Sequence, residues 1–332
     1  MNGARRIAGA LAGIAVAAAA VTGAAAVTGA AAVTAAPGSS ASVPVDPGPV
    51  ATTHAQAAGY AEEHPGTAPA RSNDFGCVPS PEHPRPVVLA HGTDSNSYSD
   101  WAAVAPMLAD AGWCVFALDY GKADGADEYG TGDIRVSAAQ LGAFVERVRA
   151  GTGADEVDLV GYSQGATVAR YYVNRLGGSA VVDRWVGVAS PSYGGTFYGL
   201  GAAVVAAPGG TGAVEDFFSV ALAQQLQGSD LLTELNTPVD TVPGVRYTTI
   251  GSRVDEVIQP ATNVALRGPG AVNLMIQDLC PPDQTGHFNM VYDPFSLTVI
   301  RHALDPERYV PGECVPVRLG TGIPELIIES NS

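Results

Sequence analysis

"LVGYSQG" at residues 159–165 places one serine, Ser163, between Gly161 and Gly165. The preceding "EVDLV" reads as an apolar strand and the following "ATVARYYVNRL" as a helix. Two glycines around one serine indicate a backbone that turns too tightly there to carry side chains. G-x-S-x-G at a strand-to-helix corner marks a nucleophile, because the strained turn lifts the serine Oγ above the sheet. The plainer reading is a serine at a helix N-cap, a position serine often fills. Its partners decide between the two.

Working outward, "RPVVLAHG" (85–92), "WCVFALDYG" (113–121), "EVDLVGYS" (156–163), "WVGVASP" (185–191) and "VRYTTIGS" (245–252) are short apolar runs that read as buried strands. Between them "SDWAAVAPMLADAG" (99–112) reads as a helix capped by Ser99 or Asp100. "DIRVSAAQLGAFVERVRAGTG" (133–153) sets Ile134, Leu141, Val145 and Val148 on one helical face. Strands alternating with helices predict an α/β domain with a mostly parallel sheet, running from about residue 73 to 332. Function in such sheets gathers at the carboxyl ends of the strands.

A serine hydroxyl needs a base, and six histidines are available. His54, His64 and His83 precede the first core strand, His91 ends that strand, and His302 falls inside a predicted helix. The chain order serine, acid, histidine selects His287, in the polar loop "QTGHFNMVYDP" before a helix begun at Asp293-Pro294. The acid is expected just after a strand between Ser163 and His287. Asp255 in "GSRVDEVIQP" fits, with Glu256 the neighbour that could displace it and Asp183, Asp240 and Asp283 less well placed. Two backbone N–H groups should hold the oxyanion: that of Gln164 directly after the serine, and that of Thr93 in the "AHGTDSN" loop. In this reading His91 is a structural loop residue.

Together "CVPSPEHPRPVVLAHGT", "AGWCVFALDYG", "GYSQG", "VASPSYGGT", "GSRVDEVIQP" and "GHFNMVYDP" resemble the secreted actinobacterial triacylglycerol lipases and esterases of the α/β-hydrolase fold, of the class 2 lipase kind. The resemblance runs from about residue 72 onward. It implies Ser163, Asp255 and His287 as the triad. "GYSQG" also matches the cutinase elbow, but cutinases are shorter and lack the "HGT" loop. Four cysteines leave three connectivities open on sequence alone; the resemblance implies Cys77–Cys114 and Cys280–Cys314.

The remaining features bound the setting. A net charge of −16 argues against nucleic acid as a partner. Arg5 and Arg6 precede a long Ala/Val-rich run, with the unit "GAAAVT" repeated, that reads as an export signal over 1–36, an uncleaved anchor being the alternative. Residues 37–72, rich in Pro, Ala, Gly, Ser and Thr, read as an unstructured linker or pro-segment. Residues 194–228 read as an apolar insertion, either a cap over the site offering Phe197, Phe217 and Phe218 to substrate or a helical pair packed into the core. No G-x-G-x-x-G, P-loop or H-E-x-x-H occurs, so no cofactor or metal is expected. The sequence therefore predicts a secreted serine hydrolase of carboxylic esters, acting on lipid or another ester without stable membrane insertion once the signal is removed. A polyester hydrolase or acyltransferase is the alternative, and a non-catalytic binding protein on the same fold a distant one.

Overall fold

The computed structural model describes residues 41–195, 212, 214 and 219–323. The export signal expected over 1–36 and most of the cap expected at 194–228 lie outside the described residues.

The described chain begins with an arm that the sequence reading left without structure. Strand β1 (Asp46–Pro47) pairs in parallel with β2 (Thr67–Ala68), and helix α1 (His54–Glu63) lies between them. Thr53 caps the helix by accepting the Gln56 N–H at 3.2 Å. The expectation of an unstructured 37–72 segment is therefore corrected for residues 41–72. This arm has little periodicity of its own and takes its order from the body. Ser42 exchanges two 2.8 Å backbone bonds with Asp119. The Asn73 side chain bonds the backbone of Ala117 both ways and donates to the Pro44 carbonyl at 2.7 Å. Ala51, Ala57 and Ala68 are buried. An exposed sheet edge is thus covered.

The body follows in alternation: β3 (Val87–Ala90), α2 (Ser97–Trp101), α3 (Val104–Asp110), β4 (Val115–Leu118), α4 (Ile134–Thr152), β5 (Val157–Tyr162), α5 (Gln164–Arg175) and β6 (Val182–Val188). After the insertion come α6 (Val220–Gln224), α7 (Asp230–Asn236), β7 (Arg246–Gly251), β8 (Val272–Met275), α8 (Ile276–Leu279) and α9 (Pro294–Leu304). Among the described residues six strands form one wholly parallel sheet in the order β4-β3-β5-β6-β7-β8. Strands β3, β4 and β5 are buried along their whole length, as a sheet covered on both faces requires. One face packs under α2, α3 and α9, the other under α4, α5 and α7. This is the α/β-hydrolase architecture.

Two elements depart from the sequence reading. The helix expected over 99–112 is two helices, the first capped by Asn96 rather than by Ser99 or Asp100. Asn96 accepts the Ser99 N–H while the Ser99 hydroxyl accepts the Asn96 N–H, a reciprocal cap. The break puts Pro106 in the first turn of α3, where its missing N–H costs nothing. Strand β8 has no counterpart among the apolar runs of the sequence: it is a short edge strand whose first two residues are exposed, so it lacks the pattern that marks the others.

Candidate active site

Register brings the site's two loops together. Ala90 pairs with Gly161, so the chain leaving β3 and the chain leaving β5 run on side by side. Ser163 follows β5 with φ 52° and ψ −121°, in a region an L-residue seldom occupies. A Cβ on Gly161 would lie 2.3 Å from the Ala166 nitrogen, and one on Gly165 only 1.9 Å from the Ala90 carbonyl oxygen. Both glycines are demanded by the close approach of α5 to the strands. Gly165→Ala must push the helix off β3, and the expected outcome is little soluble protein. A Gly165→Ala protein with parental yield and melting temperature would contradict that packing.

His287 lies in a 3-10 turn (His287–Asn289) after Gly286, and Asp293 caps α9 beyond it by accepting the Ser296 N–H at 2.7 Å. Its Nε2 is 3.0 Å from Ser163 Oγ and its Nδ1 is 2.9 Å from Asp255 Oδ2. Asp255 is 1% exposed, and its Oδ1 accepts the N–H groups of Val257 at 2.8 Å and Ile258 at 2.7 Å, which fixes the carboxylate plane. Glu256 does not reach the ring; its Oε2 accepts the His287 backbone N–H at 2.6 Å. Gly286 makes room for it, since a Cβ there would lie 2.0 Å from Glu256. The Tyr162 hydroxyl donates to the His287 carbonyl at 2.8 Å, tying the elbow to the turn that carries His287. Burial alone would lower the His287 pKa, but the charge and hydrogen bond of Asp255, with Glu256 and Asp100 behind it, raise it above 6.5.

Thr93 and Gln164 lie on the two adjacent loops, just beyond β3 and just after the serine that follows β5. Neither backbone N–H has a hydrogen-bond partner among the described residues. The aim of the first is set by His91. His91 Nε2 accepts the Tyr120 N–H at 3.2 Å, so Nδ1 carries the proton and donates to the Gly92 carbonyl at 2.8 Å. That carbonyl and the Thr93 N–H belong to one planar trans peptide and point in opposite directions, so holding the oxygen aims the N–H. Burial depresses the His91 pKa against the charges of Asp119 and Asp100, which keeps the ring neutral. Gly92 N–H in turn donates to Asp100 Oδ2 at 2.6 Å. The side-chain amides of Gln164 and Gln225 both donate to Thr93 Oγ1, at 3.0 and 3.1 Å. Gln225 follows α6, so the described end of the insertion, residues 219–228, packs against the loop that carries Thr93.

The other candidates are elsewhere engaged. His302 contacts the Tyr309 carbonyl, His83 stacks on Trp113, and Asp240 accepts the Arg267 and Gly268 N–H groups. Asp183 pairs with Arg85 and Arg246, and Asp283 accepts the Thr285 N–H. Glu256, Tyr162 and Asp100 escaped sequence reasoning as supports of the site, because each acts through a backbone group that no motif records. No cluster of three or more metal-ligating side chains occurs among the described residues.

The family model for class 2 lipases matches residues 84–295, well over half of the chain and all of the Ser163, Asp255 and His287 positions. The chain belongs to the class 2 lipase family.

Two solved lipases share its fold. Lipase B of Aspergillus fumigatus is 20% identical, with a TM-score of 0.59 over 79% of this chain and 65% of that one. The mature form of a Bacillus licheniformis lipase is 18% identical, with a TM-score of 0.51 over 68% of this chain and 94% of that one. This class 2 family member thus spans just under two thirds of the Aspergillus protein's length. Its cysteines pair as Cys77–Cys114 and Cys280–Cys314. The second pair closes a segment of 34 residues that contains His287, and a crosslink over a loop of that size removes about 4 kcal/mol of unfolded-chain entropy.

Proposed function

We propose that the chain is a secreted serine hydrolase of carboxylic esters, acylglycerols foremost, that works through an acyl-enzyme. The observation that carries this reading is the unbroken run of contacts from Ser163 through His287 to Asp255, at 3.0 and 2.9 Å. In it, His287 Nε2 takes the Ser163 proton as Oγ attacks the ester carbonyl. Asp255 holds the proton on Nδ1 and stabilises the imidazolium that forms. The N–H groups of Thr93 and Gln164 receive the oxyanion. The imidazolium then protonates the departing alcohol, and water repeats the sequence to release the acid. Export is supported by the Arg5-Arg6 apolar leader and by cysteines that are all paired. No helix among the described residues is long and apolar enough to cross a membrane.

Turnover of p-nitrophenyl esters from acetate to palmitate tests the proposal and grades chain length. The base must be neutral to act, and the charge and hydrogen bond of Asp255 raise its pKa from the ordinary histidine value. Activity is therefore expected to rise with pH along an acid limb displaced upward from the titration of a free imidazole. A protein that hydrolyses none of these esters and fails to label with a fluorophosphonate would overturn the proposal. Label without hydrolysis, with acyl transfer to an added alcohol, would point to an acyltransferase.

A further inference from the structure

A second histidine–aspartate pair lies beneath the site, its histidine outside the stretch that the family model matches. His54 is the first residue of α1, on the arm. Its Nε2 lies 3.1 Å from Asp100 Oδ1, and Asp100 is fully buried in α2. The same carboxylate accepts the Ser95 hydroxyl at 2.8 Å and the Gly92 N–H at 2.6 Å. An ionised carboxylate only accepts, so its three donors are His54, Ser95 and Gly92. Gly92 in turn lies against the elbow: a Cβ built on it would stand 3.6 Å from the Ser163 Cβ and 3.3 Å from Asp100 Oδ2.

From this arrangement we infer that His54 is a positioning residue for the oxyanion loop, acting through Asp100 on the Gly92 peptide that precedes Thr93. The inference rests on the proposed role of the Thr93 N–H. Burial by itself would push the Asp100 carboxyl up; the hydrogen bond and charge of His54, helped by the Gly92 N–H, outweigh it and hold it below the usual range. Without His54 the buried carboxylate keeps two donors and loses its adjacent cation or N–H. It then gathers a proton or water, and its grip on Gly92 loosens. Asp100 holds the N–H of the His91–Gly92 peptide and His91 holds the carbonyl of the next one, Gly92–Thr93. Slackening the first lets the chain turn about the Gly92 φ and ψ, where glycine offers little resistance, and so tilts the second, whose N–H is the oxyanion donor. Tyr292, edge-on to the His54 ring at 6.1 Å, and its hydroxyl bond to the Ser99 carbonyl keep the pair in place from the other side.

Three forms of the full chain decide the matter: the parent, His54→Phe, which fills the space without a donor, and His54→Gln, whose amide nitrogen can donate to Asp100. The measurement is kcat and KM per site titrated by a fluorophosphonate, so that unfolded protein is not counted. Complete loss of one oxyanion donor costs about 100- to 1000-fold in kcat, and a tilted one is expected to cost about 10- to 100-fold. His54→Phe should show that loss in kcat with KM within about twofold, and His54→Gln should recover most of it. A His54→Phe protein with parental kcat per titrated site, whatever its melting temperature, would reduce His54 to an anchor of the arm and overturn the inference. So would equal losses in both variants. A parent that neither labels nor turns over would instead remove the hydrolase reading, and the inference with it.

Discussion

Ser163→Ala is expected to lower kcat for ester hydrolysis by about 10⁶-fold while leaving the melting temperature within a few degrees of the parent. The substitution deletes one oxygen and asks nothing new of the backbone, since alanine meets the same φ of 52° that serine already bears. Ser163 is 9% exposed, and its N–H remains bonded to the Val188 carbonyl at 2.9 Å. What disappears is the atom 3.0 Å from His287 Nε2. The proposed oxyanion donors, Thr93 and Gln164, survive, so a residual rate about 10³- to 10⁴-fold over uncatalysed hydrolysis is expected. Turnover of a p-nitrophenyl ester, measured beside a thermal melt, is sufficient. A variant that keeps a tenth of the parental rate would mean that the nucleophile is another residue.

Asp255→Asn should cost about 10⁴-fold in kcat, and Glu256→Gln less than about tenfold. The two acids are adjacent in sequence and make separate contacts, Asp255 with the His287 ring and Glu256 with its backbone N–H. In the Asp255→Asn variant the new amide would turn an N–H toward His287 Nδ1 or offer it only a neutral oxygen. The first choice moves the imidazole proton to Nε2, the nitrogen that must be bare to deprotonate Ser163. The charge that raises the His287 pKa is lost as well, so any surviving acid limb should move to lower pH. Glu256→Gln keeps a carbonyl oxygen able to accept the His287 backbone N–H, now 2.6 Å from Glu256 Oε2. Rate constants for the two variants, with the pH profile of each, assign the roles. If Glu256→Gln proved the more damaging, the carboxylates would have been read in the wrong order.

The sheet was legible because five of its strands are apolar runs bounded by glycine or polar residues, and burial on both faces produces such runs. β8 was not, being exposed at the edge. The positions of Ser163, Asp255 and His287 could be chosen from chain order, strand ends and a glycine spacing, and the structure brings those three side chains together. Separating Asp255 from Glu256 by task needed the fold, since nothing in "VDEV" says which carboxylate turns inward. The arm was illegible for a different reason. Its small, weakly periodic residues carry no amphipathic signal, and its bonds run to Asp119, Ala117, Tyr98 and Asp100, all distant in sequence. His54 falls in the stretch that reads as a linker, and it touches the network behind the site only because those distant residues hold the arm in place. Asp100, read as a helix cap, is instead a buried acceptor.

The placement of that arm fixes an order of assembly. Residues 41–72 leave the ribosome before any of the strands they rest on. The β4 edge that Ser42 bonds is made more than seventy residues later, and Tyr292, against which His54 stands, comes only with the start of α9. The first part of the domain to be synthesised is thus among the last able to settle. Until Tyr292 and α9 have closed over the sheet, the arm helix can rest on α2 through Tyr60 and Tyr98, but the His54–Asp100 pair lacks the ring that stands against it.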